Sequence, residues 1–264
     1  MSDLDHARDA RRLRFARLVA RPDPEIDLAL GVLLIAGEGR DPFDPAPSIA
    51  ALDRLAEDAA AHLASAPAPP ASADGDDPDP VLDAIHALLY REQGFRAPAF
   101  GDAHDPDHSR LDVVLRRRVG LPISLAVIEL EVAWRLGLPL HGVGLPGHFI
   151  VGAPGDVLLD PADGGRRLTR DDCQALVRRA LGPGVLLNAG MLRPARRRQI
   201  LARVLRNLRV AHLARRDWPA ALGAVDLLAI VEPTEPDHRR DRGLLLGRVG
   251  RYSEALGELR RYRE

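Results

Sequence analysis

A handful of short stretches in this 264-residue chain gather side chains able to ligate a metal, attack an acyl carbon or hold a phosphate. In His104-Asp105-Pro106-Asp107-His108, four possible ligands fall within five residues. Metal sites usually draw ligands from separated elements or from i, i+4 positions of one helix, whereas Pro106 argues for a turn. A solvated turn is expected, with His104, Asp107 and His108 as weak metal candidates. The single thiol, Cys173, falls near the start of a predicted helix, where the helix field could lower its pKa and make it a nucleophile. A lone cysteine in a helix more commonly just packs. Arginine runs at 116–118 and 193–198 could meet phosphates or acidic partners but read as solvated helix faces. All 37 basic residues are arginine, so the chain has no lysine amine for crosslinking or Schiff-base chemistry.

The formal charge of −1 removes the broad positive field of a dedicated nucleic-acid binder. One cysteine rules out an internal disulfide framework and any zinc site built on several thiolates, which fits a reducing, cytoplasmic compartment. The opening Met-Ser-Asp-Leu-Asp-His carries acids where a signal peptide needs positive charge, and no apolar run is long enough to span a bilayer. With 46% hydrophobic residues, the chain can bury a core.

Helical spacing of apolar residues marks 24–36 and 48–63, the latter with Ser48 as its expected N-cap. Residues 65–80, SAPAPPASADGDDPDP, offer no apolar face and read as a flexible linker or loop. A helix from Val81 stops near Gly94, and a short one covers 110–118. The best-marked helix follows: Pro122 suits its first turn, Leu125, Ile128, Val132 and Leu136 line one side, and Gly137 suits a left-handed cap. Three strand-like runs at 140–145, 147–152 and 156–160 predict a small antiparallel sheet. Thr169, Asp171 and Asp172 open another helix that ends by Gly182. Beyond Pro194 the pattern is helical only.

Arg216-Asp217-Trp218-Pro219-Ala220-Ala221-Leu222 and Gly250-Arg251-Tyr252-Ser253-Glu254-Ala255-Leu256 superpose at an offset of 34 residues. That is the tetratricopeptide period. Trp218 and Tyr252 are the aromatics, Ala221 and Ala255 the small residues of close helix approach, and Pro233 the boundary 12 residues after Ala221. Two such repeats over 202–264 bury little alone and need further surface to stand on.

Arg110 to Gly165, together with Tyr90-Arg91-Glu92-Gln93-Gly94-Phe95 and His108-Ser109-Arg110-Leu111, resembles the transglutaminase-like core of bacterial SirB-type proteins, in which tetratricopeptide repeats follow the core. The resemblance implies an α+β, mostly helical fold: a papain-like transglutaminase core with a small antiparallel sheet, then an α-helical tetratricopeptide-type region. It implies an N-terminal helical segment of the core over 1–64, the linker over 65–80, the core proper over 81–193 and the hairpins over 194–264. Enzymes of the wider superfamily use Cys-His-Asp, the thiolate attacking while Asp orients the imidazole. Matched to that pattern, His148 in Pro-Gly-His-Phe takes the place of a strand histidine and Asp160 in Leu-Asp-Pro that of the aspartate. Gly120-Leu121-Pro122, with Ala126 four residues on and Gly137-Leu138-Pro139 after it, puts Pro122 at the nucleophile. Cys173 follows both His148 and Asp160, the wrong chain order for the family.

Proline cannot attack, and Ser124 lies about 200° around a regular helix from Pro122. The expected function is therefore non-catalytic: a pseudoenzyme recognising a protein or peptide, with Pro122, Ser124, His148 and Asp160 as a remnant pocket and no cofactor. The alternative is a serine-dependent hydrolase or acyltransferase using Ser124, His148 and Asp160. No nucleic-acid or membrane partner is expected, and no motif encodes an oligomeric state.

Overall fold

The structure, a computed structural model, describes residues 3–65, 79–99 and 104–263. The expected linker lies almost entirely outside the described residues; Ser65 closes one helix and Pro80 opens the next. In chain order the elements are α1 (Asp3–Val19), α2 (Leu28–Ala36), α3 (Ala46–Ser65), α4 (Pro80–His86), α5 (Leu111–Arg117), α6 (Pro122–Arg135), β1 (His141–Val143), β2 (Ile150–Ala153), β3 (Val157–Asp160), β4 (Arg166–Leu168), α7 (Arg170–Leu181), α8 (Arg197–Ala214), α9 (Trp218–Val231), α10 (Asp237–Arg248) and α11 (Tyr252–Arg263). The class is α+β and mostly helical. The chain forms two compact units, a core unit of Ala46–Pro98 and Val113–Ala195 and a repeat unit of Met1–Pro45, Ala99–Asp112 and Arg196–Glu264.

The core unit is built on α6. Pro122 takes its first position, where a missing amide costs nothing. Gly137, at φ +79°, ends it, and the Leu138 N–H returns to the Ala133 carbonyl in a Schellman-type closure. Ile123 to Ala133 are all buried. A helix enclosed around its whole circumference must be covered on every side, and α3, α4, β1 and β2 all pack on it. The sheet runs β1-β2-β3-β4, antiparallel throughout, with His141 opposite Gly152, Val151 opposite Leu159 and Leu158 opposite Leu168. Every residue of β2 is buried, so both faces of the sheet are covered at that strand, whereas Arg166 and Arg167 of β4 are exposed. Ile150 joins Val143, Leu145, Leu168, Cys173 and Val177 in a cluster with α7.

Local chemistry moved several expected boundaries. The helix expected from Ser48 begins at Ala46, which puts Ser48 inside the first turn. The 24–36 helix is a 3-10 turn (Asp23–Glu25) followed by α2, whose cap is Asp27, accepting the Leu30 N–H at 2.9 Å. The helix from Val81 becomes α4 and then a π-helical segment (Ala87–Glu92). The second strand begins only at Ile150, and β4 and α1 are elements that the hydrophobic spacing did not announce.

In the repeat unit α8 pairs with α9 and α10 with α11, while α10 also packs on α9. Ala221 and Ala255 are buried where helices meet, and Pro233 sits in the turn between α9 and α10. Gly243 permits the α10–α11 approach, since a Cβ there would stand 2.7 Å from Leu259. The further surface that two repeats need comes from the start of the chain: α2 packs on α8 so closely that a Cβ on Gly31 would lie 2.8 Å from Leu201. The Asp23 carboxylate accepts the Arg197 and Arg198 N–H groups at 2.9 and 3.0 Å, capping α8 from 174 residues away. Arg11 grips Asp41 with both terminal nitrogens, and Arg12 bridges Glu38 and Asp226.

Candidate functional site

His148 lies just before β2, after the Pro146-Gly147 turn, and not on a strand as its family counterpart implied. Gly147 holds φ +68° and leaves room for Ala180, which a Cβ would meet at 2.7 Å. Asp160 closes β3, and Pro161 immediately opens a 3-10 turn (Pro161–Asp163). This Asp-Pro junction aims the carboxylate: Asp160 Oδ1 accepts the Ala162 N–H at 2.9 Å and meets His148 Nε2, also at 2.9 Å. The two side chains are 17% and 9% exposed, so the pair is largely shielded without being sealed. With Nε2 donating to the carboxylate, Nδ1 is the nitrogen through which the imidazole would accept a proton.

Pro122, at the first position of α6, has no group to present to that imidazole. Ser124 is 1% exposed on the same helix. Its Cβ lies 3.3 Å from where a Cβ on Gly120 would stand, so the side chain leaves the helix beside Gly120.

A family described as the transglutaminase-like superfamily matches residues 47–206. The chain belongs to that superfamily. A tetratricopeptide repeat family matches residues 208–264, the α8–α11 region where the 34-residue offset was found. A UPF0162 protein of Xylella fastidiosa is 40% identical over 187 residues, which is 69% of this chain and 66% of that protein, just under two thirds of its length. A UPF0162 protein of Pseudomonas aeruginosa is 37% identical over 216 residues, 80% of this chain and 75% of that protein. F-box only protein 21 of Mus musculus is 32% identical over 139 residues, 48% of this chain and 21% of that protein. No solved structure matches the chain.

The transglutaminase-like core also holds a polar cluster that sequence reasoning missed. Glu129, fully buried in α6, faces His86 Nε2 at 3.0 Å and accepts the Tyr90 hydroxyl. Burial pushes the Tyr90 phenol well above its ordinary range, and the charges of Glu129 and Asp160 add to this, so Tyr90 stays a donor. The cluster borders the Asp160 loop: Gly165 donates its N–H to the Asp160 carbonyl, and a Cβ on Gly165 would stand 2.6 Å from the His86 ring. One signal was available. Glu129 is a carboxylate seven residues after Pro122, set between Ile128 and Leu130 on the best-marked core helix, and such a group demands partners.

Cys173 is fully buried in the α7 cluster. This agrees with the expected packing role and not with the helix-activated alternative: burial first, then Asp172 and Asp160, raise its pKa, and these outweigh the opposing Arg170. His104 is exposed, His108 is buried, and Asp107 pairs with Arg110 at 2.9 Å. Asp105 caps this short 3-10 turn by accepting the Asp107 N–H. Among the described residues, no three His, Cys, Asp or Glu side chains converge as metal ligands, and no helix is long and apolar enough to cross a membrane. Of the repeat signature, Trp218 lines a cleft of about 300 Å³ with Arg209, Leu213, Asp241, Leu244 and Arg248.

Proposed function

We propose that this chain is a non-catalytic, SirB-type member of the superfamily, acting in the cytoplasm through recognition of a protein or peptide in the cleft of its repeat unit. One observation carries the reading. The cleft exposes Leu244 (56%) and Leu213 (38%) beside Arg248, which stacks over the Trp218 ring, and Arg209, which pairs with Asp241. Apolar area flanked by charge on a helical hairpin suits an amphipathic segment or an extended peptide. Proline at the nucleophile position and the enclosure of Ser124 support the absence of acyl transfer. On this reading His148 and Asp160 serve as scaffold or as a binding pocket.

The test is capture of partners from the native cytoplasm by the full-length protein and by Leu244→Asp and Trp218→Ala variants. Loss of the partner set in both, with folding retained, is expected. An unchanged partner set would overturn the assignment to this cleft. The second reading, a serine-dependent hydrolase or acyltransferase using Ser124, draws on the 2.9 Å His148–Asp160 pair, the orienting arrangement that a general base needs.

A further inference from the structure

We infer that the Trp218 cleft selects for acid: its occupant is a partner segment that carries an Asp or Glu within about one helical turn of a large apolar side chain. The inference rests on the reading of this cleft as the recognition site and adds the sign of the charge it takes.

The chain as a whole has a formal charge of −1, but residues 196–264 hold 16 arginines against nine Asp and Glu, a formal +7. That imbalance reaches the cleft. Asp241 is the one carboxylate in its lining, and it already meets both Arg209 and Arg240. Arg248, also in the lining, is exposed at the end of α10 and meets no carboxylate among the described residues. Its guanidinium lies 5.4 Å from the centre of the Trp218 ring, a stack that holds the planar fork in place. A carboxylate is the group such a fork is shaped for, through two parallel N–H donors.

The apolar half of the cleft narrows the class of occupant. Leu213 and Leu244 are exposed, and the space of about 300 Å³ is at the lower end of ligand clefts. A nucleic-acid backbone would answer Arg248 with phosphate but leave the leucines in water. A basic segment would cover the leucines but set like charge against Arg248, with Asp241 already neutralised. A segment that is both acidic and apolar answers the leucines and the arginine together.

The experiment is selection of a random peptide library of ~12 residues, displayed on phage, against the full-length protein. Fluorescence anisotropy then titrates the enriched peptides and a single-stranded DNA of ~20 nucleotides. Peptides whose binding is lost in Leu244→Ser should carry Asp or Glu within about one helical turn of Leu, Ile, Phe or Trp. Arg248→Glu should weaken them about tenfold or more, as should changing the peptide's acid to its amide. Lysine in place of that acid should restore binding to Arg248→Glu, a swap that damage to the fold would not produce. Should Arg248→Glu not fold, the amide peptides decide against the wild type alone. Peptides that need Leu244 but carry no acid, or that bind Arg248→Glu equally well, overturn the inference and leave the cleft as the recognition site. No enriched peptide, or peptides indifferent to Leu244→Ser, overturn both. DNA that binds more tightly than every peptide and is lost in Arg248→Glu assigns the cleft to phosphate and overturns the inference.

Discussion

The His148–Asp160 contact has a cost of removal that reveals what the pair does for the fold. Asp160→Ala deletes both the cap on Ala162 and the partner of a shielded imidazole, and should lower unfolding free energy by about 2–4 kcal/mol. Asp160→Asn keeps an acceptor and should cost roughly half as much. Urea denaturation measures both, and equal stability of the alanine variant would show that the pair is not structurally engaged. Acid should weaken the fold through two other residues. Burial lowers the pKa of His141 and of His212, where Arg110 adds to the effect and Asp217 opposes it. The unfolded chain then takes up protons first, so stability is full above the ordinary imidazole value near 6.5 and falls as pH drops below it. His212→Gln should flatten part of that fall in melting temperature between about pH 7 and 5. At this scale much was legible: Pro-Gly-His and Leu-Asp-Pro carry their own turn chemistry. The Glu129 cluster was not, because His86 and Tyr90 reach Glu129 only through packing of α4 and the π-helical segment against α6.

Elements were readable where their ends carry chemistry. Proline at the start of α6 and glycine at its end state their own roles, and Gly137→Ala should cost about 1 kcal/mol in thermal or urea unfolding because of its positive φ. Gly152 is a different case. It faces His141 across β1–β2, and a Cβ would stand 2.3 Å from that ring, so Gly152→Ala should cost more than Gly137→Ala. If Gly137→Ala proves the more damaging, Gly152 does not pack closely on His141. β4 was hidden because Arg166-Arg167-Leu168 is a three-residue edge strand with one buried side chain. α1 was hidden because only Phe15, Leu18 and Val19 are apolar core positions in its described part, while Arg11 and Arg12 hold the helix through ion pairs that a hydrophobic pattern cannot register.

For the molecule as a whole, the chain's linear order conceals how its parts are shared. The N-terminal residues to Pro45 belong with the hairpins after Arg196, joined by the Asp23 cap and the α2–α8 contact at Gly31. No local signal announces a cap supplied from 174 residues away. Asp23→Ala should lower stability by about 1–2 kcal/mol, measured by urea unfolding, although Asp23 and α8 look unrelated in sequence. Removing the hairpins would uncover α2 and α8-facing surface together, so recognition is better tested by point changes in the cleft than by truncation. The central claim is that this transglutaminase-like chain recognises without chemistry. A serine-reactive fluorophosphonate probe tests it most directly, applied to the wild-type protein and to Ser124→Ala and His148→Ala. The account predicts no labelling that depends on either residue; labelling of the wild type that disappears in both variants would contradict it.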